Sequence, residues 1–442
     1  MAFISINFSS CKPSANQSNA YSSGGDTSVL LDWNINFGPG YDAHGRDTMR
    51  QAYENWVNHY IDSASSQSTP RTIRWTFCPC DSGLANIYVT IGAAGGSIPP
   101  PPPNPPPGPT GDYALSNNLP VSIPEALQEG KYNDSAKYTV PGDPKSDTTV
   151  LAVIDTGLDT TAFKGKSPEM IWANNMLWMD RDGPTLFDVI PGDPTTTLND
   201  ENHVKHGTAA TAFALLQFRE HRKPKVMTIK SFDQHGKGSV YTVSCAMSYA
   251  IQKNVKAINA SWGYDSDVPD TILAAYFKLA NQRNIAVFVA AGNDPHLPHT
   301  SPYNKDTVVL ANELKERHLF FPACFSDRMK NVVTVTGLNK TDSGIRPCQY
   351  QYYSNAYVNL GVLNTNDCCV YYLPFLGSAV EGTSFATPVA TGAVMQLFMR
   401  PPPGMALNLQ DTINQKLFHY NEPFYNKNGK VIKFQNNFLP SP

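Results

Sequence analysis

Excess charge of either sign is missing: 34 Lys and Arg stand against 37 Asp and Glu, a formal net charge of −3. That balance argues against a chain that works on nucleic acid or on an anionic membrane surface. No window approaches twenty uninterrupted apolar residues, which excludes a membrane-spanning helix. The first twenty residues have neither a basic start nor a long apolar run. No export signal is read there, so a cytoplasmic location is expected, with secretion the alternative if a signal has been removed. Cysteine is dilute, 8 in 442 residues. Cys78-Pro79-Cys80 and Cys368-Cys369 suit bridging poorly, so most of these thiols are expected to be reduced. Cys78 and Cys80 with His59 lack the usual spacing of a zinc site. There is no internal repeat and no phosphate-binding glycine loop. What is present is a core: 41% of the residues are hydrophobic, which excludes a mainly disordered chain.

Proline is concentrated. Nine of the eleven residues from Pro99 to Pro109 are proline. Such a run adopts polyproline II and, at ~3.1 Å per residue, makes a semi-rigid spacer of roughly 30 Å. A docking segment for a proline-reading partner is the sharper alternative. The tract suggests a small domain over 1–98, a linker over 99–109, a connecting segment over 110–146 that wraps the body, and a large domain over 147–442. The length suits one large domain and one smaller one. In the head, Thr27 to Phe37, Arg71 to Phe77 and Ala85 to Ile91 read as strands. Asp47 to Ala64 reads as a helix, with Met49, Ala52, Trp56, Tyr60 and Ile61 at helical spacing. The head is thus expected to be a small α+β unit of β-α-β-β order.

The body alternates differently. Thr148 to Ile154, Lys225 to Lys230, Ala257 to Ala260, Ile285 to Ala290 and Val332 to Val335 are short apolar runs, the pattern of strands buried on both faces. Helical stretches separate several of them: Gly207 to Arg219, Val240 to Lys253 and Asp270 to Arg283. The alternation predicts an α/β domain, a parallel sheet with helices on both faces. After Arg400-Pro401-Pro402-Pro403, an amphipathic helix is expected over Leu407 to Phe418 and a final strand over Lys430 to Phe434.

In such sheets functional residues gather at the carboxyl ends of the strands. There stand Asp155-Thr156-Gly157 after the first body strand and Ala291-Gly292-Asn293 after another. His206-Gly207-Thr208 opens a helix. So does Gly382-Thr383-Ser384-Phe385-Ala386-Thr387-Pro388. An Asp, a His, an Asn and a Ser at these positions are what acyl transfer by an activated serine needs.

These four motifs, in this order, resemble the subtilisin-like serine proteases (subtilases, peptidase family S8), over roughly Asp147 to Met399. Asn259-Ala260-Ser261-Trp262-Gly263 resembles the family's substrate-binding strand, and Tyr353-Ser354-Asn355 followed by Leu360-Gly361 its late segment before the serine. The chain departs from the family at Ala209, where a second His is usual. The resemblance implies a subtilisin-like fold and a serine endopeptidase. Ser384 would be the nucleophile and His206 the base, since histidine exchanges a proton near neutral pH. Asp155 would orient His206. Asn293 and the Ser384 N–H would receive the oxyanion. Ser261, Trp262 and Gly263 would pair with a peptide or protein substrate as an edge strand, with Ala291 and Gly292 beside them, and Trp262 would bound a specificity pocket unless it is simply packed. Pro388 is read as tolerated in the first turn of its helix.

The resemblance implies that no cofactor is required, with Ca2+ as the possible exception. The stretch from Met170 to Asn202 resembles an insertion of bacterial subtilases, and Asp180 and Asp182 in it offer two carboxylates to a Ca2+ ion, fewer oxygens than calcium takes. The head resembles the family's propeptides, which act as chaperones and inhibitors in cis. Its tail would then run from Tyr88 towards Gly96 in the cleft, with autoprocessing near 91–98. The alternatives are an intracellular protease whose head is a permanent sensor released by a partner, and a non-catalytic peptide-binding scaffold on the same fold.

Overall fold

Alternation of apolar and polar residues in the head, and unbroken apolar runs in the body, produce two kinds of sheet. The computed structural model describes residues 27–37, 42–64, 70–78, 81–92, 113–123, 127–128, 138–139, 145–164, 177–178, 199–218, 222–294, 312–341, 344–363, 370–371, 380–399, 425–426 and 429–433. Two compact units result: Met1–Asn118 with Asp270–Ile272, and Leu119–Pro269 with Leu273–Pro442.

The first unit contains β1 (Thr27–Phe37), α1 (Ala43–Ala64), β2 (Arg71–Cys78), β3 (Asp81–Gly92) and β4 (Tyr113–Asn117). They form an antiparallel sheet of order β2-β3-β1-β4. Helix α1 buries Met49, Tyr53, Val57 and Ile61, a spacing of four that lines up one face. They share a core with Leu31, Trp33, Ile35, Ile87 and Val89; each large side chain so buried stabilises the fold by about 1.5–3 kcal/mol. The expected β-α-β-β unit gains a fourth strand from beyond the proline tract, with Trp33 opposite Asn117 and Phe37 opposite Tyr113. Residues 99–109 themselves lie outside the described ones. The division between units falls at Asn118, because β4 completes the head's sheet. Tyr88 to Gly92, read from sequence as the start of a tail, are the end of β3, and Ile91 pairs with both Ser28 and Arg71.

The second unit opens with β5 (Pro120–Ser122), β6 (Leu127–Gln128), β7 (Tyr138–Thr139), β8 (Lys145–Asp155), β9 (Phe163–Lys164) and β10 (Leu177–Trp178). Along the chain follow α2 (His206–Leu215), β11 (Arg222–Lys230), β12 (Lys237–Ser239), α3 (Val240–Gln252), β13 (Ala257–Ala260), β14 (Tyr264–Asp265), α4 (Thr271–Gln282) and β15 (Ala286–Ala290). Next come β16 (Phe320–Phe321), β17 (Val332–Thr341), β18 (Gly344–Pro347), β19 (Leu360–Leu363) and β20 (Val370–Tyr371). Last are β21 (Val380–Glu381), α5 (Thr383–Met399), β22 (Tyr425–Asn426) and β23 (Gly429–Lys433).

The main sheet runs β10-β11-β8-β13-β15-β17-β19-β23-β22, with β18 beside β17. From β10 to β19 the pairing is parallel, and β23 and β22 close it antiparallel. Leu151, Val153, Phe288, Val333, Val335, Leu360 and Val362 join the cluster built on α2 and α5. The alternate residues Ala152, Ile154, Val287, Val289 and Val332 are just as buried, so both faces of the sheet are covered. This is the α/β architecture the sequence predicts. Helix α3 starts on a capping box in which the Ser239 hydroxyl accepts from the Thr242 N–H and the Thr242 hydroxyl accepts from the Ser239 N–H.

The expectation for the cysteines is corrected. Cys78, Cys245 and Cys348 are disulfide-bonded, and Cys324 is a buried free thiol. No helix among the described residues is long and apolar enough to cross a membrane. Asp180, Asp182 and the expected helix over 407–418 lie outside the described residues.

Candidate active site

Parallel strands place their carboxyl ends on one edge, and Asp155 ends β8 while Asn293 follows β15. His206 opens α2 and Ser384 opens α5. Asp155 and His206 are buried, at 0% and 1% exposure, and Nδ1 of His206 lies 2.8 Å from Oδ1 of Asp155. The same oxygen accepts from the Thr156 N–H at 2.8 Å. With its Nδ1 proton given to Asp155, the ring presents Nε2 as an acceptor. Nε2 of His206 and Oγ of Ser384 are both buried without a hydrogen-bond partner. The ring of Phe385, next to Ser384, packs against the His206 ring at 5.0 Å between centroids.

Asn293 is oriented by its other amide atom. Its Oδ1 accepts from the Thr383 N–H at 3.0 Å and the Thr383 hydroxyl at 3.2 Å. That turns Nδ2 towards the space above Gly382. A Cβ on Gly382 would stand 3.0 Å from Nδ2 of Asn293 and 3.4 Å from Oγ of Ser384. The space a side chain would fill is therefore the point on which Ser384 Oγ and Asn293 Nδ2 converge. Gly382 also has φ +137°, which L side chains rarely adopt. Gly292 carries the turn that presents Asn293: its φ is +104°, and a Cβ there would strike Tyr352 at 2.5 Å. Ala291 is fully buried, as the end of β15 requires.

Ser261 and Trp262 are fully buried. Ser261 donates to the Ser384 carbonyl at 2.8 Å and accepts from Asn259 Nδ2 at 3.0 Å. The explanation offered for Pro388 is corrected by this bond. Pro388 lies beyond the first turn of α5, where its missing N–H would have met the Ser384 carbonyl; the Ser261 hydroxyl takes that carbonyl instead. Trp262 packs on Phe232 with ring centroids 6.1 Å apart. Gly263 is buried, and its N–H and carbonyl pair with the carbonyl and N–H of Ser122, each at 3.0 Å.

Sequence reasoning missed Asp200. Its Oδ2 accepts from the Thr208 N–H and hydroxyl, both at 2.8 Å, and its Oδ1 from the Thr156 hydroxyl at 2.8 Å. Thr156 in turn accepts from the Gly207 N–H at 2.9 Å. Asp200 thus ties the loop after β8 to the start of α2, which carry Asp155 and His206. Burial pushes its carboxyl above the usual range, and the Thr208 and Thr156 hydrogen bonds oppose that rise. Glu381, three residues before Ser384, was missed as well. Its Oε1 is buried without a hydrogen-bond partner, and burial pushes its carboxyl up to about 8. No sequence signal distinguishes either acid from an ordinary surface carboxylate.

A mostly parallel sheet with a buried Asp–His pair and a helix-start Ser at its carboxyl edge is the arrangement a serine peptidase needs. The profile of the subtilase family matches residues 146–429, and the chain belongs to that family. The subtilisin-like protease 1 of Plasmodium berghei (strain Anka) is 24% identical over 261 residues, 56% of this chain and 42% of that protein. Its namesake from Plasmodium falciparum (isolate 3D7) is 25% identical over 182 residues, 40% of this chain and 25% of that protein. The chain thus spans less than half the length of these curated relatives. Among solved structures, a cold-adapted subtilisin-like serine proteinase is similar at 18% identity, a TM-score of 0.40, and coverage of 63% of this chain and 87% of that one. The prenylagaramide maturation protease PagA is similar at 21% identity, a TM-score of 0.37, and coverage of 62% and 83%.

Proposed function

We propose that this chain is a serine endopeptidase that cuts peptide bonds through an acyl-enzyme on Ser384. The observation that carries the reading is the convergence of Ser384 Oγ and Asn293 Nδ2 on the space above Gly382, beside the buried Asp155–His206 pair. Ser384 Oγ attacks the carbonyl carbon and His206 Nε2 takes its proton. Asp155 holds the ring and offsets its positive charge. The oxyanion is received by Asn293 Nδ2 and by the Ser384 N–H at the start of α5, where N–H groups have no helical partner. His206 then gives the proton to the departing amine, and water cleaves the ester by the reverse path. Ser261 keeps Ser384 in place. No step needs a metal or cofactor, and the calcium reading at Asp180 and Asp182 remains a proposal.

Peptide or protein is the substrate class this cleft suits, and the head is read as its inhibitor or chaperone in cis. The disulfide-bonded Cys78, Cys245 and Cys348 favour an oxidising compartment over the cytoplasm. Labelling with a fluorophosphonate tests the mechanism. The wild type should take one adduct on Ser384, located by peptide mapping, and Ser384→Ala should take none. A protein that stays unlabelled at Ser384 under conditions that label a control serine protease would instead be a peptide-binding scaffold.

A further inference from the structure

Left-handed backbone singles out one residue beside the candidate base. Among the described residues three that are not glycine have positive φ: Lys205, Asn254 and Asn284, at 52°, 52° and 54°. The two asparagines follow the ends of α3 and α4, where a left-handed residue is an ordinary helix stop and asparagine is among the residues that tolerate it. Lys205 is neither an asparagine nor at the end of a helix. It stands at the start of α2, with ψ 50°, immediately before His206. A residue in that place is usually extended and caps the helix with a short polar side chain. Lys205 makes no such cap. A backbone outlier of this kind persists only where its surroundings hold it, and such outliers cluster at functional sites.

Helix α2 starts pressed against the loop that carries Asp155. A Cβ on Gly207 would stand 2.3 Å from the Gly157 carbonyl oxygen and 3.2 Å from the Asp155 Cβ. The caps of the helix come from that loop and from Asp200: the Gly207 N–H donates to the Thr156 hydroxyl at 2.9 Å and the Thr208 N–H to Asp200 Oδ2 at 2.8 Å. The Lys205 N–H closes a turn on the Asn202 carbonyl at 2.9 Å, while the Lys205 carbonyl already accepts from the Ala209 N–H at 2.8 Å. Turn and helix therefore meet at this one residue. Its side chain spans the joint. Nζ of Lys205 donates to the Asp200 carbonyl and lies 3.7 Å from Oδ2 of Asp159. Asp159 follows Asp155 on the same loop. Its Oδ1 accepts from the Thr161 N–H at 2.9 Å and hydroxyl at 2.6 Å, and its own N–H donates to the Thr208 hydroxyl at 2.8 Å. The side chains of Lys205 and Asp159 are only 18% and 9% exposed, so salt screens this pair less than an exposed one.

We propose that Lys205 is a positioning residue for the base: its ammonium, held by the Asp200 carbonyl and the Asp159 carboxylate, locks the left-handed turn that delivers His206 to Asp155 and Ser384. The inference rests on the Asp155–His206–Ser384 mechanism proposed above. Lys205 touches no reacting atom and acts through the backbone, one residue before the ring it aims. Glycine would make the same turn without strain, but it would make others as readily. A lysine tethered at its far end makes one. The tether also joins the loop of Asp155 to the helix of His206, so the two keep their 2.8 Å contact as substrate enters. A displacement of about 1 Å at a catalytic group can cost about 10²-fold in rate, which is the reason to lock the turn.

The test compares the full chain as wild type, Lys205→Met, Lys205→Gly, Lys205→Arg and Asp159→Asn. It reads steady-state kinetics on a peptide substrate, fluorophosphonate labelling of Ser384 and thermal unfolding. Lys205→Met keeps the stem and the strain and loses the tether. It should lower kcat about 10-fold or more, slow labelling in proportion and leave KM within about 2-fold. Lys205→Gly relieves the strain and should keep about half of the wild-type kcat or more. Lys205→Arg keeps the charge and should recover most of the rate lost in Lys205→Met. The proton on Nδ1 of His206 gives a second readout. Its downfield NMR signal, recorded in a Ser384→Ala background, should be sharp with Lys205 or Lys205→Gly and broadened or absent with Lys205→Met. Asp159→Asn keeps the Oδ1 bonds from Thr161 and turns an N–H towards Lys205. It should act in the same direction as Lys205→Met, and it serves if that variant does not fold. A folded Lys205→Met with wild-type kcat and labelling overturns the proposal, even if its unfolding temperature is lowered, since that is a structural role alone. So does a Lys205→Gly as slow as Lys205→Met, because the turn would then not be the route. A wild type that stays unlabelled at Ser384 while a control serine protease labels overturns the mechanism and this inference with it.

Discussion

The proposed role of Asn293 depends on how its amide is oriented. Thr383 holds Oδ1 through its N–H and hydroxyl, so Nδ2 needs no reorganisation when negative charge develops on the substrate. Asn293→Ala is expected to lower kcat by about 10²–10³ with little change in KM, the range known for losing one such donor in a subtilisin; steady-state kinetics on a peptide substrate measure it. Glu381 gives a prediction about stability. Its carboxyl titrates near 4.5 in an unfolded chain and near 8 in the folded one. Between those values the folded state keeps a proton that the unfolded state has lost, so stability falls as pH rises from about 5 to 8, by up to about 1.4 kcal/mol per pH unit. Glu381→Gln cannot ionise and should flatten that slope. Urea unfolding of the Ser384→Ala protein at pH 5 and pH 8, with and without Glu381→Gln, separates the two behaviours. A wild type more stable at pH 8 than the glutamine variant would contradict the assignment.

At the scale of elements, α5 illustrates how a helix tolerates an interior proline. Pro388 removes the N–H that would have met the Ser384 carbonyl, and Ser261 at the end of β13 supplies a hydroxyl in its place. Ser261→Ala should cost about 1–3 kcal/mol, the penalty of leaving a buried carbonyl unpaired. On the proposed mechanism it should also lower kcat more than it raises KM, since Ser384 loses this contact. The strands and helices around this site were legible because their apolar runs are long enough to carry a period. Ala257–Ala260 and Thr27–Phe37 fall where the sequence places them, and α2, α3 and α4 differ only at their ends. Asp155, His206, Asn293 and Ser384 were legible because reactive side chains stood where strands end and helices begin. Asp200 was not: a carboxylate acquires that role only when Thr156 and Thr208 are folded around it. Strands β4, β5 and β6 were not either. Two to five residues hold no periodicity, and their partners, such as Gly263 for Ser122, are remote in sequence.

At the scale of the whole molecule, the cysteines divide by chemistry rather than by number. Cys78 in the first unit and Cys245 and Cys348 in the second are bonded and almost wholly buried. Each bridge removes freedom from the unfolded chain, typically about 2–4 kcal/mol, so a reductant able to reach them should lower the unfolding temperature in both units. Cys324 should not respond to the same chemistry. It is a thiol buried beside Phe320 and Asp327, and burial pushes its pKa up to about 12. The thiolate is the nucleophile in alkylation, and at pH 8 a thiol of that pKa is ionised in only about one molecule in 10⁴. Iodoacetamide at pH 8 should therefore leave Cys324 unmodified for hours in the native Ser384→Ala protein and modify it within minutes in 6 M guanidinium, as peptide mapping would show. Rapid native modification would mean that the segment around Cys324, which includes β16 and supports Gly263 and Gly292 through Phe320, opens readily. The Ser261–Gly263 segment, to which Ser122 pairs, would then be a yielding wall rather than a fixed one.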